Sequence, residues 1–153
     1  MMTFQQYVGV LAKELDVTIE TEEDACAFSL ESSDGETIEV LLQGFDERGV
    51  LLTYADLGEP PPEGKELLYQ TLLEANDFYN STAGATLSLN SKSGHVRLQR
   101  CDDMDTLSSQ GPAHALTTFA DTAAAWKKII ADFRAAPSHD SNEQSAPFNG
   151  MLV

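Results

Sequence analysis

Side chains with the chemistry for catalysis or metal binding are few in this sequence, and they are scattered. The two cysteines, Cys26 and Cys101, lie far apart with no CxxC spacing. The three histidines, His95, His114 and His139, fall in a hairpin, a helix start and a tail. A zinc site needs three or four converging ligands, and nothing here converges, so no metal and no cofactor is expected. The cysteines read as free, half-buried thiols of a reducing compartment. Glu20, Glu22, Glu23 and Asp24 could do general acid–base work as grouped carboxylates. With no His or Lys beside them, they read as a solvated charge run. Asp102, Asp103 and Asp105 read as a cluster at a helix entry, where the dipole favours acids. No GxSxG elbow, HExxH pair, Gly-rich phosphate loop or EF-hand loop is present. No catalytic residue is therefore assigned, and the chain is not expected to be an enzyme. Asn80–Ser81–Thr82 matches a glycosylation sequon, but Met1–Gln6 lacks the basic start of an export signal, so the match reads as coincidence.

Charge sets the next boundary. Of 153 residues, 25 are Asp or Glu and 9 are Lys or Arg, a formal net charge of −16. Such a surface repels phosphate backbones and anionic membranes, so neither nucleic acid nor a membrane is expected as a partner. No apolar run approaches the roughly 20 residues that cross a bilayer. A strong net charge also keeps a protein soluble while it exposes apolar surface. A soluble cytoplasmic chain is expected, and a basic or aggregation-prone partner would suit it.

The elements that must position these residues follow from periodicity. Phe4, Tyr7, Val8, Leu11 and Leu15 recur at helical spacing, so residues 3–15 are expected to be a helix with Thr3 as its cap. Residues 25–31 alternate Cys26, Phe28 and Leu30 against smaller side chains and read as a strand. Turn chemistry at 32–35 and 46–49 separates two further strands, 37–45 and 50–57, giving an antiparallel meander. Gly58–Pro62 stops the sheet and leads into a helix over 63–76, with Leu68, Leu72 and Ala75 on one face. Strands are expected at 85–90 and 95–101. A long helix follows at 112–135, with Leu116, Phe119, Ala123, Trp126 and Ile130 on one stripe and Trp126 as a core anchor. The order α-β-β-β-α-β-β-α describes an α+β domain over 1–136, with a twisted antiparallel sheet flanked by helices. Residues 137–153 are expected to be a mobile tail with an apolar end at Phe148–Val153.

One feature exceeds what a small sheet needs. Ile38, Val40 and Leu42 share one face of their strand, yet Leu41 lies on the other; Leu51 is accompanied by Val50, Leu52 and Tyr54. A sheet covered by helices on one side buries only one face. Two apolar faces imply that the 112–135 helix covers the second, that a partner subunit does, or that a client does.

Leu72–Leu73–Glu74–Ala75–Asn76, Gly84–Ala85–Thr86–Leu87–Ser88–Leu89 and Gly94–His95–Val96–Arg97–Leu98 together resemble the central signature of type III secretion chaperones of the Tir-chaperone (CesT) family. Size, acidity, element order and the late helix with Ala123–Ala124–Ala125–Trp126 agree with this over about residues 3–135. The resemblance implies a non-enzymatic bacterial cytoplasmic chaperone. It would be a homodimer that binds the N-terminal region of a secreted effector and releases it at the secretion ATPase. It further implies a dimer interface drawn from Leu67, Leu68, Leu72, Leu87 and Leu89. The client surface would lie on the first helix and first three strands, with Phe4, Val8, Phe28, Leu41 and Leu51 as candidates. The rival reading is an acidic inhibitor or DNA mimic that blocks a basic intracellular protein.

Overall fold

The computed structural model describes residues 1–135. The expected tail, 137–153, lies outside the described residues. Helix α1 (Phe4–Leu15) opens on a capping box: the Thr3 hydroxyl accepts from Gln6 N, and the Gln6 side chain accepts from Thr3 N. Two of the orphan donors of the first turn are thereby satisfied. Strands β1 (Ala25–Glu31), β2 (Thr37–Phe45) and β3 (Val50–Gly58) form the expected meander. Helix α2 (Lys65–Asn76) leads through a 3-10 turn, Asp77–Tyr79, into β4 (Thr86–Leu89) and β5 (Val96–Asp103). Helices α3 (Met104–Gln110) and α4 (Pro112–Ala135) complete the described chain. The sheet has five strands in the order β1-β2-β3-β5-β4, antiparallel throughout.

Helix α3 was not expected from periodicity. It is only 7 residues long, too short for a hydrophobic stripe to declare itself. The acidic cluster does mark its entry. Asp103 is the N-cap and accepts from Thr106 N, while Met104 and Leu107 are buried beneath it.

Both amphipathic helices pack on one face of the sheet. Helix α1 lies on β2 because Gly44 has no side chain: a Cβ there would come within 2.5 Å of Phe4 Cβ. The same approach lets Phe4 N donate to Asp46 at 2.7 Å. Helix α4 crosses this face beside α1. Trp126 is buried, and its indole N–H donates to Ser81 O at 2.8 Å, giving the polar end of a buried ring the partner it requires. Beneath the two helices lie Cys26, Ile38, Val40, Leu42, Leu51, Ala55 and Leu98. Burying each Val, Leu or Ile side chain of this layer contributes on the order of 1.5–3 kcal/mol. Of the three alternatives for the second apolar face, covering by the 112–135 helix is thus not the one adopted. No described helix covers it.

Candidate functional site

The uncovered face is built from the residues that alternate away from α1 and α4. Strand register sets them in rows. One row runs Ala27, Leu41, Tyr54, Gln99, Thr86; the next runs Ala25, Gln43, Leu52, Cys101; a short one joins Phe45, Val50 and Asp103. Leu41, Val50, Leu52 and Tyr54 are half-buried by one another, and Phe45 is exposed. The Arg97 guanidinium lies 5.1 Å from the centre of the Tyr54 ring, a cation–π contact at the border of the strip. The result is a continuous apolar band across three strands with a polar rim.

The band reaches the sheet edge at β1. Gly44 N donates to Asp24 O at one end of the β1–β2 ladder, and Ser32 N donates to Glu36 O at the other. Hydrogen-bonded pairs alternate along an antiparallel ladder. Even-numbered residues of β1 therefore turn their backbone toward β2, and Ala27, Ser29 and Glu31 turn theirs outward. All three are exposed. Only Ala25 is closed off, by a reciprocal pair of 2.9 Å bonds with Glu22. An edge of this kind is a template for a further strand.

A second apolar surface gathers where α2 ends. Leu73 is 71% exposed, Phe78 82%, Tyr79 53% and Leu89 45%. Phe78 and Tyr79 both have φ of 56°, a left-handed conformation that costs bulky non-glycine residues and marks a position held for a reason. Sequence reasoning missed this pair. The available signal was two adjacent aromatics in an otherwise polar stretch, since aromatics on a surface point to an interface.

The structure divides the residues expected at the client surface. Phe4, Val8 and Leu51 belong to the protomer core, not to an outer surface, because the face they share is the one α1 and α4 cover. Phe28 is half-buried on that same face at the edge strand, and Leu41 lies on the open face. Among residues expected at the dimer interface, Leu68, Leu72 and Leu87 are buried within the protomer, Leu67 is half-buried and Leu89 is exposed.

Titratable groups are placed by structure rather than gathered for chemistry. Burial pushes the Cys26 thiol up to about 11, which keeps it protonated and unreactive. Cys101 is exposed on the open face, and both thiols are free. Burial, then the Asp102 charge, pushes the Tyr7 phenol upward. Asp102 itself is held by Arg100, whose Nε donates to both carboxylate oxygens at 2.7 and 3.0 Å. The Ser32 hydroxyl holds the Asp34 carboxyl below its ordinary range, and the Thr106 backbone N–H does the same for Asp103. These are turn and cap carboxylates on the surface. His95 faces Asp56 at 2.9 Å and ties the β4–β5 hairpin to the end of β3. Among the described residues no group of three or more His, Cys, Asp or Glu could hold a metal ion, and no helix is long and apolar enough to cross a membrane.

Comparison with known proteins places this geometry. The model of the Tir chaperone protein (CesT) family matches residues 7–127. Among solved structures, the HopA1–SchA chaperone–effector complex shares 17% identity, with a TM-score of 0.59 over 87% of this chain and 94% of that one. The ExsC–ExsE complex shares 19%, with a TM-score of 0.61 over 82% of this chain and 91% of that one. The ExoU–SpcU complex of the Pseudomonas aeruginosa type III secretion system shares 19%, with a TM-score of 0.53 over 83% and 93%. Against curated protein sequences, no significant match was found.

Proposed function

Because the chain belongs to the Tir chaperone protein (CesT) family, a family of chaperones and not of enzymes, we propose that it binds the N-terminal chaperone-binding region of a type III secreted effector and keeps it soluble and secretion-competent. The observation that carries this reading is the open β1 edge beside an apolar sheet face that no described helix covers. Backbone addition at Ala27, Ser29 and Glu31 is indifferent to client sequence, while pockets for alternate side chains select the client. Ala27 is small and stands opposite Leu41, so a large client side chain on that face has room above the one and a flank against the other. Leu41 and Phe28 are the candidate client contacts that survive the division of core from surface.

In this reading the protein is a cytoplasmic homodimer. Its exposed apolar side chains Leu73, Phe78, Tyr79 and Leu89 at the end of α2 and of β4 call for an apolar partner, and a second copy of the chain supplies one. The resemblance adds the secretion ATPase as the agent of release, without nucleic acid or membrane insertion. The test is recovery of the tagged chain from its host, followed by light scattering and protease mapping. A dimer that protects the N-terminal region of one secreted protein supports the proposal; a monomer bound to a basic intracellular protein overturns it.

The net charge of −16 favours a second reading, an acidic inhibitor or DNA mimic. Its interface would be charge-dominated, so affinity would collapse between low and moderate salt. Chaperone binding, driven by apolar burial, should show weak salt dependence and a negative heat-capacity change.

A further inference from the structure

Between the end of α2 and the start of β4 the backbone has little regular structure to hold it. Phe78, Tyr79, Ala83 and Gly84 all have φ between 51° and 83°. Three of these four are not glycine and adopt the left-handed region at a cost. A segment so strained relaxes unless its surroundings fix it. Asn76 brackets it: Leu87 N donates to Asn76 Oδ1 at 2.8 Å, and Asn76 Nδ2 donates to Leu87 O at 3.0 Å. Inside the segment Thr82 is buried, and its hydroxyl donates to Tyr79 O at 3.3 Å. Two donors then reach the same backbone from distant elements. Trp126 Nε1, on α4, donates to Ser81 O at 2.8 Å. Arg100 Nη1, on β5, donates to Ala83 O at 3.2 Å. Both donors are themselves fixed, since the Trp126 ring is buried and Arg100 Nε donates to Asp102 at 2.7 Å.

We infer that Trp126 and Arg100 are positioning residues of the subunit interface: through the carbonyls of Ser81 and Ala83 they hold the 78–84 turn in the shape that projects Phe78 and Tyr79 outward. The inference rests on the reading of that exposed cluster as the place of a second copy, and deepens it. Projecting two aromatic rings into water from a strained turn gains an isolated protomer nothing. A surface already held in its bound shape, by contrast, has less ordering left to lose when the partner arrives. A tryptophan that only filled the core would be satisfied by any buried acceptor. Here the acceptor lies in the turn that carries Phe78, and a second element supplies a donor to another carbonyl of that same turn. Two side chains from separate parts of the chain, both aimed at one short strained segment, are what a preset interface requires.

The test uses the full chain and reads the dimer Kd by sedimentation over a dilution series. Trp126→Phe keeps a buried ring and removes the N–H donor. Arg100→Lys keeps the charge beside Asp102 and removes the fork that serves Asp102 and Ala83 O together. Each should raise Kd about fivefold to tenfold, the scale of one lost hydrogen bond. Ile130→Val is the control: Ile130 is buried on α4 too, but it has no polar atom to offer the turn. It should lower the melting temperature and leave Kd unchanged. A Kd in both variants equal to the wild type's, or raised no more than by Ile130→Val, overturns the inference. Where Trp126→Phe does not fold, the wild type supplies a second measurement, because Trp126 is the single tryptophan of the chain and its indole N–H gives one signal. Linkage requires that a contact supporting the interface be supported by it in turn. Relative to the amide of Val40, buried in β2, that N–H should exchange about tenfold more slowly in the wild-type dimer than in a folded Phe78→Asp monomer. Equal relative exchange counts against the inference. A wild type that is monomeric at every dilution, or a Phe78→Asp that remains a dimer, overturns the interface reading itself. A dimer broken by Phe78→Asp but indifferent to Trp126 and Arg100 overturns only their positioning role.

Discussion

The open face of the sheet and the cluster at the end of α2 are both apolar and both uncovered by any described helix, yet they differ in how far their side chains are shielded. On the sheet, Leu41, Leu52 and Tyr54 stand in register and shield one another. A flat band of this kind is tolerable in water while empty, and the charge around it opposes aggregation. At the end of α2, Phe78 and Leu73 stand 82% and 71% exposed, and Phe78 is held there in a left-handed backbone. Surface so exposed is costly to leave bare. The first suits a partner that comes and goes; the second suits one that is always present. Mutual shielding, more than hydrophobicity, distinguishes the two.

Phe78→Asp should break that comparison with the largest effect. Aspartate tolerates the left-handed region better than phenylalanine does, so the protomer keeps its fold. A charge in the centre of the cluster should weaken self-association by at least about 30-fold, the scale of a hot-spot residue losing about 2 kcal/mol. Sedimentation at micromolar concentration should show a monomer. Leu87→Asp is the control for position: Leu87 is buried in the protomer, and an unpaired charge there should unfold the chain rather than dissociate it. A folded Leu87→Asp monomer would place the interface deeper than the exposed cluster.

Leu41→Asp sharpens the other half. Leu41 lies on the open face, opposite Ala27 and Tyr54, and the charge can reach solvent. Thermal stability should change little, while client affinity measured by calorimetry should fall about tenfold, corresponding to about 1.4 kcal/mol. The dimer should persist. If Leu41→Asp dissociates the dimer or leaves capture intact, the division of labour between the two surfaces is wrong.

How far the sequence could have led to these surfaces depends on what kind of signal each element carries. The long helix 112–135, the first helix and the meander are written in periodicity, which is a local property, and their bounds agree with the structure within a residue or so. Periodicity also groups Phe4 with Val8, and Ile38 with Val40 and Leu42. It cannot say that α1 and α4 lie on the same face, because that depends on Gly44 admitting Phe4 and on how α4 returns over the sheet. That is why Phe4, Val8 and Leu51 read equally well as surface and turn out to be core. Phe78 and Tyr79 were illegible for another reason. A 3-10 turn with two left-handed residues has no repeating pattern, and its exposure is set by the backbone it interrupts. Asn76 lay inside the family-like Leu-Leu-x-Ala-Asn segment, but its partner, Leu87, is joined to it only by the folded hairpin.

The smallest effect concerns a corner of the open face. Asp103 ends the short row with Val50 and Phe45 and also caps α3, where Thr106 N–H and then the Thr106 hydroxyl hold its carboxyl below the ordinary range. A carboxyl whose folded value is depressed contributes stability that is fully present above its unfolded value, about 3.9, and lost as pH falls through the lower folded value. Asp103→Asn keeps an equally good cap without the charge. Melting curves of the two proteins should run parallel above about pH 5. At lower pH the wild type should lose about 1–2 °C more than the variant, a small effect because the group is solvent-exposed and screened. Client capture should not follow this titration, since none of the half-buried apolar residues of the band titrates there. If capture by the wild type fell with the cap while capture by Asp103→Asn held, the α3 corner would belong to the client surface, and the band would extend past β3 along the whole of the Val50–Asp103 row.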